Sequence, residues 1–257
     1  MELTEETPFQ SMYSEKPIKA VVGGGKTIFY IHPGALLQGS SALTARVTGS
    51  WKTAGQETLD WSDFDEETMN CVLKFCYTRE YNVPQHSCSS KGEAAPEKSA
   101  VSPAEDNARS GSPPMGRNHN GEAIVIHAKV YSFAHRYLVG NLQDYALFQM
   151  RICLNALLGE HTISYCPNHI YIKDAIQIIY GSTISREEIG MDPARRELCN
   201  FVATSPGDFR LHFVTPQEEN GEFMVDLAFR LSGRLADFEY SNSVLEKKTG
   251  TKRRRNR

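Results

Sequence analysis

Apolar and polar positions along the 257-residue chain change period several times, and each change marks a new element. Ile18-Lys19-Ala20-Val21-Val22 and Thr27-Ile28-Phe29-Tyr30-Ile31 are rich in β-branched and aromatic residues, with Gly23-Gly24-Gly25 between them. The glycines supply permissive backbone for a turn, so the pattern predicts a hairpin from Ile18 to His32. Pro33 cannot continue a central strand, but its fixed φ suits a first helical turn. Leu36, Ser40, Leu43 and Val47 then recur at helical spacing, which predicts one helix that stops at Gly49. Thr58-Leu59-Asp60-Trp61 alternates as a short third strand. Asp63 or Asp65 caps the following helix, and Glu66 and Glu67 lie near its positive end. Met69, Val72, Leu73, Cys76 and Tyr77 give that helix one continuous apolar stripe.

Residues 86–121 break the pattern. Pro96, Pro103, Pro113 and Pro114 stand among Ser, Gly, Ala and charged residues, with Val101 and Met115 as the large apolar side chains. Such a segment buries too little surface to offset its ordering entropy, and it is read as a disordered insertion. Ser102-Pro103 and Ser112-Pro113 match proline-directed phosphorylation, although such pairs arise by chance in this kind of tract. Order resumes at Ile124. Val130, Ala134, Tyr137 and Leu138 mark one helical face; after Gly140, Leu142, Tyr145, Ala146, Ile152 and Cys153 mark another. Further helices are expected from Asp174 to Tyr180, from Asp192 and Pro193 to Val202, and from Phe223 to Phe238. The Ser205–Asn220 stretch reads as loop with a short extended piece at Leu211–Val214.

Composition narrows the function classes. Hydrophobic residues are 40% and charged residues 23% of the chain, as in ordinary globular protein, and the formal charge of −3 offers no global attraction for nucleic acid. The one basic concentration is Lys252-Arg253-Arg254-Arg255, which reads either as a solvated tail or as an import signal. No run approaches the roughly 20 apolar residues of a membrane-spanning helix. The N-terminus, with Glu2, Glu5 and Glu6, lacks the pattern of a signal peptide. A cytoplasmic or nuclear location is therefore expected, with cysteines kept reduced. Cys71, Cys76, Cys88, Cys153, Cys166 and Cys199 have no zinc-type spacing, and neither metal nor cofactor is expected.

One motif points toward an enzyme. Ala20-Val21-Val22-Gly23-Gly24-Gly25-Lys26-Thr27 fits a phosphate-binding loop if Ala replaces its first Gly, with Gly25, Lys26 and Thr27 as the working residues. That loop needs a helix to begin near the Lys, so that backbone N–H groups and the helix dipole meet the phosphate. Thr-Ile-Phe-Tyr-Ile after Lys26 favours a strand, and a hairpin turn is the preferred reading. His32, His127 and His135 lie in no nucleophile context and are read as structural. Asp63, Asp65, Glu66 and Glu67 are read as capping residues rather than metal ligands.

The order of these elements carries a family resemblance. Phe29-Tyr30-Ile31-His32-Pro33-Gly34-Ala35-Leu36-Leu37-Gln38-Gly39-Ser40-Ser41 resembles the opening of BTB/POZ domains, where a strand ending in His leads into a helix with a Leu and a Ser pair. Leu59 to Thr68, then Phe75-Cys76-Tyr77-Thr78, resemble that family's third strand and its helix ending in Tyr-Thr. His127 to Tyr137 resembles the next helix in the form seen in fungal members. The resemblance covers about 18–85 and 122–156. It implies an α+β fold: a small three-stranded sheet with surrounding helices, followed by a helical C-terminal extension. The implied organisation is a flexible N-terminus (1–17), a BTB/POZ domain (18–156) interrupted at 86–121, a helical extension (157–240) and a basic disordered tail (241–257).

By the same resemblance the chain is non-catalytic and works by binding protein, as a self-associating scaffold or an adaptor: another BTB domain, a second copy of itself, or the cullin scaffold of a ubiquitin ligase. Candidate contacts are Val47, Trp51, Lys52 and Phe64, with Trp51 either local core or an interface anchor. Cullin-binding members carry an apolar-x-Glu motif where this chain reads Trp51-Lys52-Thr53, and Thr53 in place of the acid speaks against a cullin. The alternative is a nuclear regulatory factor whose basic tail, Lys252 to Arg255, makes the decisive contact.

Overall fold

The computed structural model describes residues 16–37, 40–48, 58–83, 120–159, 168–184, 190–205, 213 and 221–255. Strands β1 (Ile18–Val22) and β2 (Thr27–Ile31) form the expected antiparallel hairpin, with Ala20 opposite Phe29 and Val22 opposite Thr27. Strand β3 (Thr58–Trp61) pairs parallel to β1, so the sheet runs β2-β1-β3. Alternation of side chains puts Ala20, Val22, Ile31 and Trp61 into the core, while Ile28 and Tyr30 stay exposed.

Lys26 lies in the hairpin turn with φ 55°, and its N–H bonds Gly23 O at 3.0 Å. Thr27 opens a strand and not a helix, so neither a dipole nor a row of N–H groups is aimed at a phosphate. The phosphate-loop motif is a hairpin.

The helices surround the sheet on their own capping logic. The single helix expected over Leu36–Val47 is two, α1 (Pro33–Leu37) and α2 (Ser41–Thr48). Ser40 is the reason: its Oγ accepts the N–H of Leu43 at 3.0 Å, as an N-cap does, and donates to the carbonyl of Tyr137. Asp65 caps α3 (Glu66–Thr78), accepting from Thr68 N at 2.8 Å, and the helix ends at Arg79 in the left-handed conformation. Helix α4 (Asn120–Arg136) ends the same way: Leu138 has φ 55°, and Val139 N–H reaches back to Ala134 O at 2.9 Å. Then come α5 (Gly140–Gly159), α6 (Asn168–Ser182) and α7 (Pro193–Thr204). Asp192 accepts from Ala194 N and Arg195 N at the N-terminus of α7, with Pro193 at the first helical position as expected.

The last helix, α8, runs from Gly221 to Arg255, well past the Phe238 end expected from the apolar pattern. Lys252 to Arg255, read from sequence as part of a disordered tail, lie on its final turns. The insertion read over 86–121 lies outside the described residues apart from Asn120 and Gly121, which already belong to α4. Apart from Phe213, the extended piece read at Leu211–Val214 also lies outside them.

Both flanks of the insertion enter one core. Trp61 meets Phe133 edge-on at 5.5 Å, and Phe64 meets Phe133 at 5.1 Å. Phe75 and Tyr81 contact Tyr145 at 5.4 and 5.2 Å, and Lys129 pairs with Asp65 at 2.7 Å. The extension is joined to α4 and α5 through Tyr131–Asp192 and Arg151–Glu197. The molecule is α+β, with a small mixed sheet of three strands and eight helices among the described residues. No helix among these residues is long and apolar enough to cross a membrane.

Candidate protein-interaction surface

A cleft of about 480 Å³ opens where α2 meets the end of α4, lined by Ala42, Ala45, Arg46, Arg136 and Tyr137. Its position follows from two local choices. Ser40 starts α2 and fastens it to the Tyr137 carbonyl. The left-handed Leu138 then turns the chain away, which leaves the Tyr137 ring facing α2. Ala42 and Ala45 are too small to fill the space beside that ring.

Two guanidinium groups stand over Tyr137. Arg46 Nη1 donates to Tyr137 Oη at 3.1 Å, with its Cζ 5.5 Å from the ring centroid. Arg136 Cζ is 5.9 Å from the same centroid and 5.7 Å from that of Phe64. Arg136 also pairs with Asp63 at 2.8 Å; both groups are exposed, so water screens the pair and a ligand competes for it cheaply. Beneath the cleft, Phe133 packs on Tyr137 at 4.6 Å and on Trp61, which makes the floor rigid. An aromatic floor, alanine walls and two planar cations suit a protein segment carrying a carboxylate beside an apolar or aromatic side chain.

Of the four contact residues read from sequence, Phe64 borders this region, half-buried against Phe133. Val47 does not serve as a surface contact: at 8% exposure it belongs to the core under α2. Trp51 and Lys52, with Thr53, lie outside the described residues, and the side chains of Lys252 to Arg255 are likewise not described. Sequence reasoning missed Arg46, Arg136 and Tyr137. Tyr137 reads as an ordinary apolar helical position, and nothing in spacing joins Arg46 to Arg136 across ninety residues of chain.

The remaining chemical candidates are tied into the structure. His127 is buried, with Nδ1 at 2.8 Å from Tyr81 Oη; burial lowers its pKa to about 4 and raises that of Tyr81. His32 meets Tyr77 Oη at 3.0 Å through both its backbone N–H and Nδ1. His135 stacks on Tyr131. Burial pushes the thiols of Cys71, Cys76 and Cys199 up to about 11, which keeps them protonated and unreactive at neutral pH. Among the described residues no cluster of His, Cys, Asp or Glu is arranged to hold a metal ion.

Compared with models of known families and with curated proteins, the sequence matches none.

Proposed function

We propose that the chain is a non-catalytic protein-interaction module of BTB/POZ type, acting as an adaptor or self-associating scaffold. The observation that carries this reading is the cleft over Tyr137, an apolar depression with two guanidiniums at its rim. Such a site rewards a partner that offers acid and apolar surface together, with charge setting orientation and the aromatic floor holding the anchor. Phe64 extends the apolar part of the surface. The hairpin at Lys26 supports the same reading in one respect: Gly25, Lys26 and Thr27 lack the helix N-terminus that a phosphate-binding loop needs. A link to ubiquitin ligases is the weaker arm of this proposal, since Thr53 stands where the cullin-binding motif Trp51-Lys52-Thr53 would carry an acid.

The test is a peptide-array or display selection with wild type and the Arg46→Glu/Arg136→Glu double variant side by side. Wild type enriches sequences that combine Asp or Glu with an aromatic residue, and the double variant loses that enrichment at least tenfold. Equal enrichment by both proteins sinks the cleft as the binding site. Binding of ATP or GTP that disappears in Lys26→Ala sinks the non-catalytic reading itself.

A further inference from the structure

Strand β2 forms one edge of the sheet, and backbone parity fixes which of its groups face outward. Gly23 N–H bonds Trp61 O at 3.4 Å, so the odd-numbered residues of β1 turn toward β3. Ile18, Ala20 and Val22 therefore turn toward β2, where they meet Ile31, Phe29 and Thr27. The N–H and C=O groups of Ile28 and Tyr30 are left pointing away from the sheet. The next outward N–H, that of His32, is held by Tyr77 Oη at 3.0 Å. Among the described residues, no backbone hydrogen bond reaches Ile28 or Tyr30 on this outer side.

The strand itself carries nothing that keeps another strand away. Proteins guard such edges with Pro, charged side chains or bulges. Thr27-Ile28-Phe29-Tyr30-Ile31 has neither Pro nor charge, and its pairing to β1 runs without a bulge. On its solvent face Ile28 is 47% and Tyr30 69% exposed.

The outward groups define their own partner. Placed antiparallel about a two-fold axis at Phe29, Ile28 of one copy lies opposite Tyr30 of the other, and Tyr30 opposite Ile28. Both are then hydrogen-bonded pairs, so every outward N–H and C=O of the two residues is satisfied. The neighbouring two-fold registers do worse. One sets Ile28 against His32, whose N–H Tyr77 already holds; the other sets Tyr30 against Lys26, which lies in the turn at φ 55°. Side chains agree with the backbone, because a β-branched residue opposite an aromatic one is a favoured cross-strand pair. Charge agrees too. Helix α3 is tied along β2 at both ends, Glu66 to Thr27 and Tyr77 to His32. Turning β2 about the axis turns α3 with it, so the acidic start of one helix, Glu66 and Glu67, comes level with Lys74 of the other.

We propose that two copies of this chain join β2 edge to β2 edge, antiparallel about a two-fold axis at Phe29, into one continuous sheet. This rests on the self-association arm of the proposed function and uses a surface separate from the Tyr137 cleft. Two five-residue strands give a contact below the about 800 Å² per partner of a standard interface. The pairing is therefore reversible, and concentration controls it.

Sedimentation equilibrium of the full chain over a concentration series tests the pairing, with amide exchange followed by NMR at each concentration. The expected result is a monomer–dimer equilibrium in which the Ile28 and Tyr30 amides gain protection as dimer forms. Ile28→Lys and Tyr30→Glu each weaken it about tenfold, since the axis places each change twice. The two together set Lys against Glu across the axis and recover most of the pairing. Both positions face solvent, and circular dichroism confirms the retained fold. A strictly monomeric wild type overturns the inference, including one whose Ile28 and Tyr30 amides are protected at every concentration by another part of the same chain. So does a dimer in which these two amides exchange as in the monomer, or a double variant that stays as weak as the singles. Acidic-peptide binding measured on the same samples separates the two readings. Binding at the cleft by a chain that never dimerises overturns the edge pairing alone, and a β2 dimer that binds no such peptide overturns the cleft alone.

Discussion

The two junctions that assemble this molecule are built from opposite materials. Where the sheet meets α4, the contact is apolar: Trp61 and Phe64 meet Phe133 edge to face and Phe133 packs at a tilt on Tyr137, with little directional bonding. Where α6, α7 and α8 meet, the centre is Arg195, which is 1% exposed. Its Nε donates to Thr183 Oγ1 at 2.8 Å, its Nη2 to the carbonyls of Thr183 and Tyr180, and its Nη1 to Glu222 at 2.6 Å. Its guanidinium lies 4.2 Å from the Tyr180 ring centroid, and Tyr180 in turn donates to Asp226 of α8 at 2.8 Å. The aromatic junction tolerates small shifts and draws its energy from area. The arginine junction satisfies the open carbonyls at the end of α6 in one arrangement, so it draws specificity from direction.

That contrast breaks or sharpens under substitution. The largest effect is expected from Phe133→Ala, which leaves a cavity under both Trp61 and Phe64. Urea unfolding should show a loss of about 4 kcal/mol with the whole chain affected. A loss below about 1 kcal/mol means the aromatic cluster does not unite the two halves.

Arg195→Ala should cost about 3 kcal/mol, because the carbonyls of Tyr180 and Thr183 lose a charged donor in a buried setting. Hydrogen exchange should rise in α6, α7 and α8 while β1 to β3 stay protected. Arg195→Met keeps the volume without the donors; if it restores protection fully, the junction is apolar after all and the contrast collapses.

A third, pH-dependent effect belongs to the sheet side alone. His127 has a folded pKa of about 4 against 6.5 in the unfolded chain, because burial penalises its cation. The unfolded chain therefore binds the proton first, and the stability contributed is complete above pH 6.5. It is lost as pH falls from 6.5 toward 4, reaching on the order of 3 kcal/mol. Comparing unfolding midpoints of wild type and His127→Gln across that window isolates this group from the carboxylates. Parallel curves for the two proteins exclude His127 as the source.

The smallest effect is at Asp65, which caps α3 and also pairs with Lys129. Asp65→Ala should cost about 1 kcal/mol, nearly all of it from the cap, because the ion pair is about two-fifths exposed. Lys129→Ala measured beside it should then be almost neutral. A larger loss at Lys129 means the ion pair, and not only the cap, fastens α3 to α4.

Both strands of the hairpin, the third strand and the Asp65 and Asp192 caps are legible in the chain, because each rests on neighbours within a few residues: alternation, a glycine run, or an acid before a helix. The split of the Leu36–Val47 helix is not. Ser40 caps α2 through the N–H of Leu43, but its hydroxyl also donates to the Tyr137 carbonyl, far along the chain, and that second bond cannot be read from spacing. The cleft stayed hidden for the same reason. Phe64 was within reach of sequence reasoning, but Arg46 and Arg136 become a pair only through the ring between them, and Val47 turns inward because α2 starts at Ser41. The length of α8 was also missed, since Ser241, Asn242 and Ser243 interrupt the apolar pattern without breaking the helix.

What the chain alone determines is thus local: strand or helix, and the polar groups that close each end. Tertiary structure decides that both flanks of the proline-serine insertion share one core, that Arg195 rather than an apolar side chain holds the extension, and that two arginines meet over Tyr137. The physical reason is range. Backbone sterics and capping act within a turn or two, whereas burial and buried hydrogen bonds depend on which distant groups the packed fold brings within a few ångströms.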